Sequence, residues 1–167
     1  FFKQKTAYEI YQCDWSSDVC SSDLMGTKSI RHIVEAAVAS HLGAESGLSG
    51  VNIYKGDAVD VNVLPKAIVL CDSAKTPADL PDGAGNYDCS VRVTLFSNAD
   101  DTTLATHRAR CAALAGAMQD FDGLAAVFTA SGDAHLYDAS VNSEDEGTDE
   151  RSFATAFTFS ILTVLAP

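Results

Sequence analysis

The chain has 167 residues, 47% of them apolar, and carries 23 acidic against 11 basic side chains for a formal net charge of −12. That is enough apolar material for one buried core, and it is not a disordered or collagen-like composition. No uninterrupted apolar run approaches the ~20 residues that cross a bilayer as a helix, and so acidic a surface makes a poor general binder of phosphate backbones.

Residues 1–24 hold five Phe, Tyr and Trp side chains, including the only tryptophan, and two of the five cysteines. They follow neither a helical nor a strand period, and they lack the basic start, apolar stretch and small-residue site of a signal peptide. Lys3 to Ile10 resembles the translation of an adapter used in short-read DNA sequencing, and Asp14 to Leu24 resembles that of the matching read-primer adapter, in order and in frame. Residues 1–24 are therefore expected to be an unstructured, artefactual extension, with the gene proper starting at Met25 and residues 25–167 forming one domain. Cys13 and Cys20 are set aside as a metal or disulfide pair. The extension contains two lysines and four acids, so the remaining 143 residues carry 9 basic and 19 acidic side chains and a net charge of −10.

Ser29 to Leu42 places Ile30, Ile33, Val34, Ala37, Val38 and His41 or Leu42 at three- and four-residue spacings, which predicts an amphipathic helix. Thr27 or Ser29 could cap it, and Gly43 could end it in a left-handed conformation. Val51–Lys55 and Val59–Val63 read as short strands separated by the Gly56-Asp57 turn signal, and Ala67–Cys71 as a buried strand. Thr76 to Asn86, with two prolines and two glycines, reads as an exposed loop. In Tyr87 to Leu95, apolar Tyr87, Cys89, Val91, Val93 and Leu95 alternate with Asp88, Ser90, Arg92 and Thr94, the pattern of a strand with one buried face.

Asp100, Asp101 and Thr102 offer caps for a helix running to about Asp120, with Leu104, His107, Cys111, Leu114, Ala115 and Met118 as its buried stripe. Phe121-Asp122-Gly123 is expected to end it. Leu124 to Ala130 fits a helical turn or a strand equally well, and Ala134–Val141 alternates only weakly. Asn142 to Arg151 packs five acids into ten residues and reads as a solvated hairpin loop or a mobile one. Ser152 to Leu165, with Phe153, Phe157, Phe159 and Ile161 on one face, is a long final strand. The order helix, strands, helix, strands predicts an α+β fold: a mostly antiparallel sheet with two main helices packed against it.

Chemistry is sparse. Cys71, Cys89 and Cys111 have no close metal-ligand spacing, and each lies on an apolar stretch as a buried small hydrophobe. His107 and Cys111 share a helical face, but a nucleophilic thiol needs an exposed, electropositive setting that the residues do not supply. His32, His41, His107 and His135 form no close motif. Gly83-Ala84-Gly85 lacks the Lys-Ser/Thr of a phosphate loop, and Ser131-Gly132 makes no nucleophile elbow. No catalytic residue, cofactor or metal is expected. The acidic run Glu144, Asp145, Glu146, Asp149 and Glu150 is either a solubilising hairpin tip or a functional surface.

From about Ile30 to Leu165 the layout resembles the tail terminator proteins of long-tailed bacteriophages. The resemblance lies in the opening helix IRHIVEAAVASHL, the strand and turn NIYKGDAV, the proline-preceded strand LPKAIVLCD, the alternating strand YDCSVRVTLF and the helix TTLATHRARCAALAGAMQD. It continues through GLAAVFTASGDAHLYD and an acidic loop to SFATAFTFSILTVL. It implies a non-enzymatic minor tail protein of the virion, assembled in the host cytoplasm as a ring, usually of six subunits. Such a ring caps the head-proximal end of the tail tube, binds tail-tube protein on one side and head-completion protein on the other, and lets DNA pass without holding it. The five acids would then line the bore or face a neighbouring ring, since an acidic wall repels phosphate. Other expectations compatible with the residues are another head–tail connector or head-closure protein, a small enzyme using Cys111 or scattered carboxylates, and a soluble domain with no phage role.

Overall fold

The structure, a computed structural model, describes residues 29–56, 63–77, 85–148 and 151–166. The adapter-like segment and most of the expected strand 59–63 lie outside the described residues, as do most of the expected loop 76–86 and the acids Asp149 and Glu150. Val63, at the end of that expected strand, lies outside any strand.

Helix α1 spans Ile30–Ala44 and buries Ile33, Val34, Ala37, Val38 and Leu42, the face that the three- and four-residue spacing marks out. It does not stop at Gly43. The chain leaves the helix at Glu45, whose extended backbone starts a short 3₁₀ turn, Ser46–Leu48, and whose side chain accepts from the Gly47 N–H at 3.0 Å. Strands β1 (Asn52–Lys55), β2 (Lys66–Lys75) and β3 (Asn86–Asn98) come next.

Helix α2 spans Leu104–Gln119, and its cap is Thr103 rather than the three residues before it: the Thr103 hydroxyl accepts from the Thr106 N–H at 3.2 Å. Phe121-Asp122-Gly123 does not close off the helical region but opens a third helix, α3 (Phe121–Ser131). A single non-helical residue, Asp120, separates the two helices, and its carboxylate caps the Gly123 N–H. The stretch that fitted helix and strand equally is thus helical. Gly132 ends α3 with φ +70, a left-handed conformation that a Cβ disfavours. Strands β4 (Ala134–Thr148) and β5 (Ser152–Leu165) complete the fold.

The five strands form one sheet in the order β1-β2-β3-β5-β4. Only β1 and β2 run parallel; the other neighbours are antiparallel. The fold is therefore α+β with a mostly antiparallel sheet, and three helices rather than two pack on it. Val91, Val93 and Leu95 of β3 face Phe159, Phe157 and Thr155 of β5 across the central pair of strands. All six are buried, together with Leu114 and Met118 of α2 and Leu124 and Phe128 of α3. Burying each of these larger apolar side chains is worth roughly 1.5–3 kcal/mol. The opposite face of β3 carries Asp88, Ser90, Arg92 and Thr94, where Arg92 pairs with Asp72 at 2.8 Å and Ser160 donates to Asp88 at 2.9 Å.

Candidate assembly surface on the acidic edge strand

Three of the five acids singled out in the sequence, Glu144, Asp145 and Glu146, lie on a strand and not in a loop. Strand β4 runs 15 residues to Thr148 and pairs along its length with β5, which begins at Ser152. It is also a terminal strand of the sheet, with one edge unpaired among the described residues.

The pairing explains why the strand is hard to see in the sequence. Its register shifts between Leu136 and Asp138 and again between Val141 and Ser143, so Tyr137 and Asn142 are extra residues in two bulges. Residues opposite the buried positions of β5 are Leu136, Ala139, Val141, Glu144 and Glu146. The helix-side face of β4 thus advances by three residues at each bulge instead of two. Glu144, opposite Phe157, and Glu146, opposite Thr155, turn toward the side where α2 packs, whereas Asp145, opposite Ala156, turns away.

On the helix side Glu146 meets Arg108 of α2. Nε of Arg108 donates to one carboxylate oxygen at 3.0 Å and Nη2 donates to the other at 2.9 Å, a bidentate pair. Arg108 holds the Glu146 carboxyl below its ordinary value, and the carboxylate raises the guanidinium in turn. Beside this pair lies an open groove of about 270 Å³ lined by Arg108, Cys111, Ala112, Ala115, Glu144 and Glu146.

Beneath the seam is a buried polar cluster whose partners lie far apart in sequence. His107 is fully buried, and its Nδ1 and Nε2 are each 2.9 Å from a hydroxyl, those of Ser97 and Thr155. Its ring packs against Phe153 at 5.6 Å between centroids. Burial lowers the His107 pKa, with Glu146 opposing that shift and Arg110 and Arg108 adding to it. Cys111, one turn further along α2, is buried, and burial pushes its thiol up, with Thr155 opposing that shift. His107 and Cys111 do share a helical face, as their spacing indicates, but His107 spends both nitrogens on hydroxyls. The arrangement holds Cys111 as a thiol and assembles no Cys–His nucleophile.

The remaining histidines are dispersed. His41 Nε2 lies 2.8 Å from the Ala117 carbonyl oxygen, tying α1 to α2, while His32 lines a groove between α1 and α3 and His135 sits exposed on β4. Among the described residues no three His, Cys, Asp or Glu side chains converge as metal ligands, and no helix is long and apolar enough to cross a membrane. Sequence reasoning found the acids and His107 but missed Arg108, which holds Glu146, and Ser97 and Thr155, which hold His107. The four-residue spacing of His107 and Cys111 was the only local signal for the cluster.

No protein-family model and no curated protein matches the chain. Among solved structures, the chain is similar to a chain of a structure described as "Virion of native gene transfer agent (GTA) particle", with a TM-score of 0.53 at 16% identity. The match covers 78% of this chain and 93% of that one, so nearly the whole of the other chain shares the α+β fold described above.

Proposed function

We propose that the chain is a structural protein of a phage-like virion, and more narrowly a tail terminator that forms a ring on the head-proximal end of the tail tube. The observation that carries the broader reading is the fold likeness to a virion chain, spanning 93% of that chain. The narrower reading rests on the tail-terminator layout of the sequence. On this reading the chain performs no catalysis and takes no cofactor. Its partners are other copies of itself, usually six in all, the tail-tube protein and a head-completion protein.

The acidic edge strand fits the role. A closed ring needs a head-to-tail contact between two different surfaces of each subunit, and a 15-residue terminal strand with an edge unpaired among the described residues offers one such surface. Glu144, Asp145 and Glu146, with Asp149 and Glu150 beyond them, either line the bore, where they repel DNA phosphates, or face an adjacent ring.

The test is to mix the purified protein with tail-tube protein and image the products. A terminator caps tube ends, arrests their growth and runs as a ring of about six copies. A protein that ignores the tube and binds the portal side is a head-closure protein, the second reading favoured by the same virion likeness. A stable monomer with affinity for neither overturns both readings.

A further inference from the structure

The β2–β3 hairpin carries a feature that neither virion assembly nor the acidic strand uses. Cys71 on β2 and Cys89 on β3 are both buried and both free of disulfides. In the antiparallel register Cys71 lies opposite Val91 and Ala74 opposite Cys89, and the extra residue of a bulge, Asp72, falls between Cys71 and Ser73. The two cysteines are thus diagonal neighbours on the core side of adjacent strands, with the bulge between them. Cys71 Sγ donates to the Ser73 carbonyl oxygen at 3.4 Å, and each thiol shifts the other's pKa, Cys71 down and Cys89 up.

We infer that Cys71 and Cys89 are an oxidisable pair that closes to an intrachain disulfide, stapling β2 to β3 beside the bulge, when the protein meets a low-molecular-weight disulfide. The reaction is a double exchange. The Cys71 thiolate attacks one sulfur of the reagent, a Cys71–reagent bond forms, and the reagent's own S–S bond breaks. The released thiolate takes up the proton Cys71 has lost. The Cys89 thiolate then attacks Cys71 Sγ, the Sγ–Sγ bond forms, and the second reagent thiolate leaves with the Cys89 proton. Two protein thiols are oxidised and one reagent disulfide is reduced to two thiols.

Two features set the order and the access. The interaction between the two thiols holds Cys71 below the ordinary thiol value and Cys89 well above it, so Cys71 is the attacking sulfur and Cys89 the resolving one. The pair lies toward the end of the hairpin where the chain passes from β2 to β3, four residues before β2 ends at Lys75 and three after β3 begins at Asn86. Fraying of strand ends exposes such positions without global unfolding. Cys111, on α2, has no other thiol beside it among the described residues and serves as the internal control.

Peptide mapping makes the test direct. The folded protein is incubated with oxidised glutathione, free thiols are alkylated, and the chain is digested with trypsin. Cleavage after Lys66, Lys75 and Arg92 puts Cys71 and Cys89 in separate peptides. The expected product is a linked pair, residues 67–75 with residues 76–92, that dithiothreitol separates. Cys111 stays alkylatable, and the melting temperature rises by on the order of 10 °C because the link closes a loop in the unfolded chain. Cys89→Ser should leave Cys71 as a mixed disulfide and abolish the rise. The inference fails if the folded wild-type protein keeps both thiols alkylatable, or gains only mixed disulfides, while the same chain in urea forms the link. The wild-type map decides this even if the variant does not fold.

Discussion

Arg108 on α2 holds Glu146 on β4 with two parallel hydrogen bonds, 3.0 and 2.9 Å long, across 38 residues of sequence. This pair ties the acidic half of the edge strand to the helical layer. Exposed ion pairs contribute little to global stability, so Arg108→Ala should leave the melting temperature nearly unchanged. It should instead speed amide exchange across Glu144–Thr148 several-fold, as read by hydrogen–deuterium exchange. The pH dependence comes from the lowered Glu146 pKa: the tether is complete above the ordinary carboxyl value of 4.5 and is lost as pH falls through the lowered one. Exchange in this segment, corrected for intrinsic rates, should therefore rise below about pH 4.5 in the wild type. Arg108→Ala should show no such step, and an equal step in both proteins would detach the carboxylate from the tether.

His107 gives a second, independent pH signature. Burial holds the imidazole neutral, so its folded pKa lies below the ordinary 6.5. The unfolded chain takes up a proton that the folded ring refuses. Stability is thus complete above pH 6.5 and is lost as pH falls through that value toward the folded one. Thermal melts between about pH 8 and pH 5 should show the loss. His107→Gln, which keeps a polar side chain between Ser97 and Thr155 but cannot titrate, should melt lower at neutral pH and flatten the acid slope. His107→Ala leaves a cavity and two unpaired hydroxyls and should cost about 3 kcal/mol. An unchanged slope in His107→Gln would assign the acid sensitivity to other groups.

Much of this architecture can be read in the chain because one period dominates locally. The alternation from Tyr87 to Leu95 marks the core of β3, and the helical spacing of His107, Cys111, Leu114 and Met118 marks the buried face of α2. Strand β4 escapes such reading for a physical reason. Its inward residues, Leu136, Ala139, Val141, Glu144 and Glu146, obey a period of two interrupted by two bulges, and the last two are acids. An acid on the helix side of a strand becomes intelligible only once Arg108 is seen across from it. The cluster of Ser97, His107 and Thr155 is likewise invisible locally, since three elements contribute one residue each. Helix α3 is obscured because Phe121-Asp122-Gly123 resembles a terminator, although Asp120 uses that glycine's N–H as the start of a new helix.

A buried carboxylate sits at the bulge in β2. Glu35 of α1, 9% exposed, accepts the Cys71 N–H at 2.9 Å with Oε1. Glu35→Gln retains an acceptor and should be tolerated. Glu35→Ala strands a buried donor and should destabilise the protein by about 1–3 kcal/mol. Denaturant melts of the two variants separate the hydrogen bond from the charge: equal losses would mean that the charge, and not the acceptor, matters at this position. Faster exchange of the Cys71 amide in the alanine variant alone would locate the effect at the bulge.

The bulge at Asn142 has a different consequence, because it lies on a strand with one edge unpaired among the described residues. A long, flat edge invites pairing with another chain, and bulges and charges discourage it. Since Val141 lies opposite Phe159 and Ser143 opposite Thr158, deleting Asn142 removes the extra residue and leaves the pairing from Ser143 to Thr148 intact. Glu144 stays opposite Phe157, Glu146 stays opposite Thr155, and Arg108 keeps its partner. The deletion variant should fold with a melting temperature near that of the wild type, and Glu146 should still titrate below 4.5 by NMR. What should change is the edge: straighter and more regular, it should self-associate at lower protein concentration, as sedimentation velocity would record. If the Glu146 carboxyl instead returns to its ordinary value, the bulge sets the register of the acidic half, and the placement of its carboxylates toward α2 depends on Asn142. If register and association both stay as in the wild type, the bulge gives the edge no protection and the acids alone keep it single.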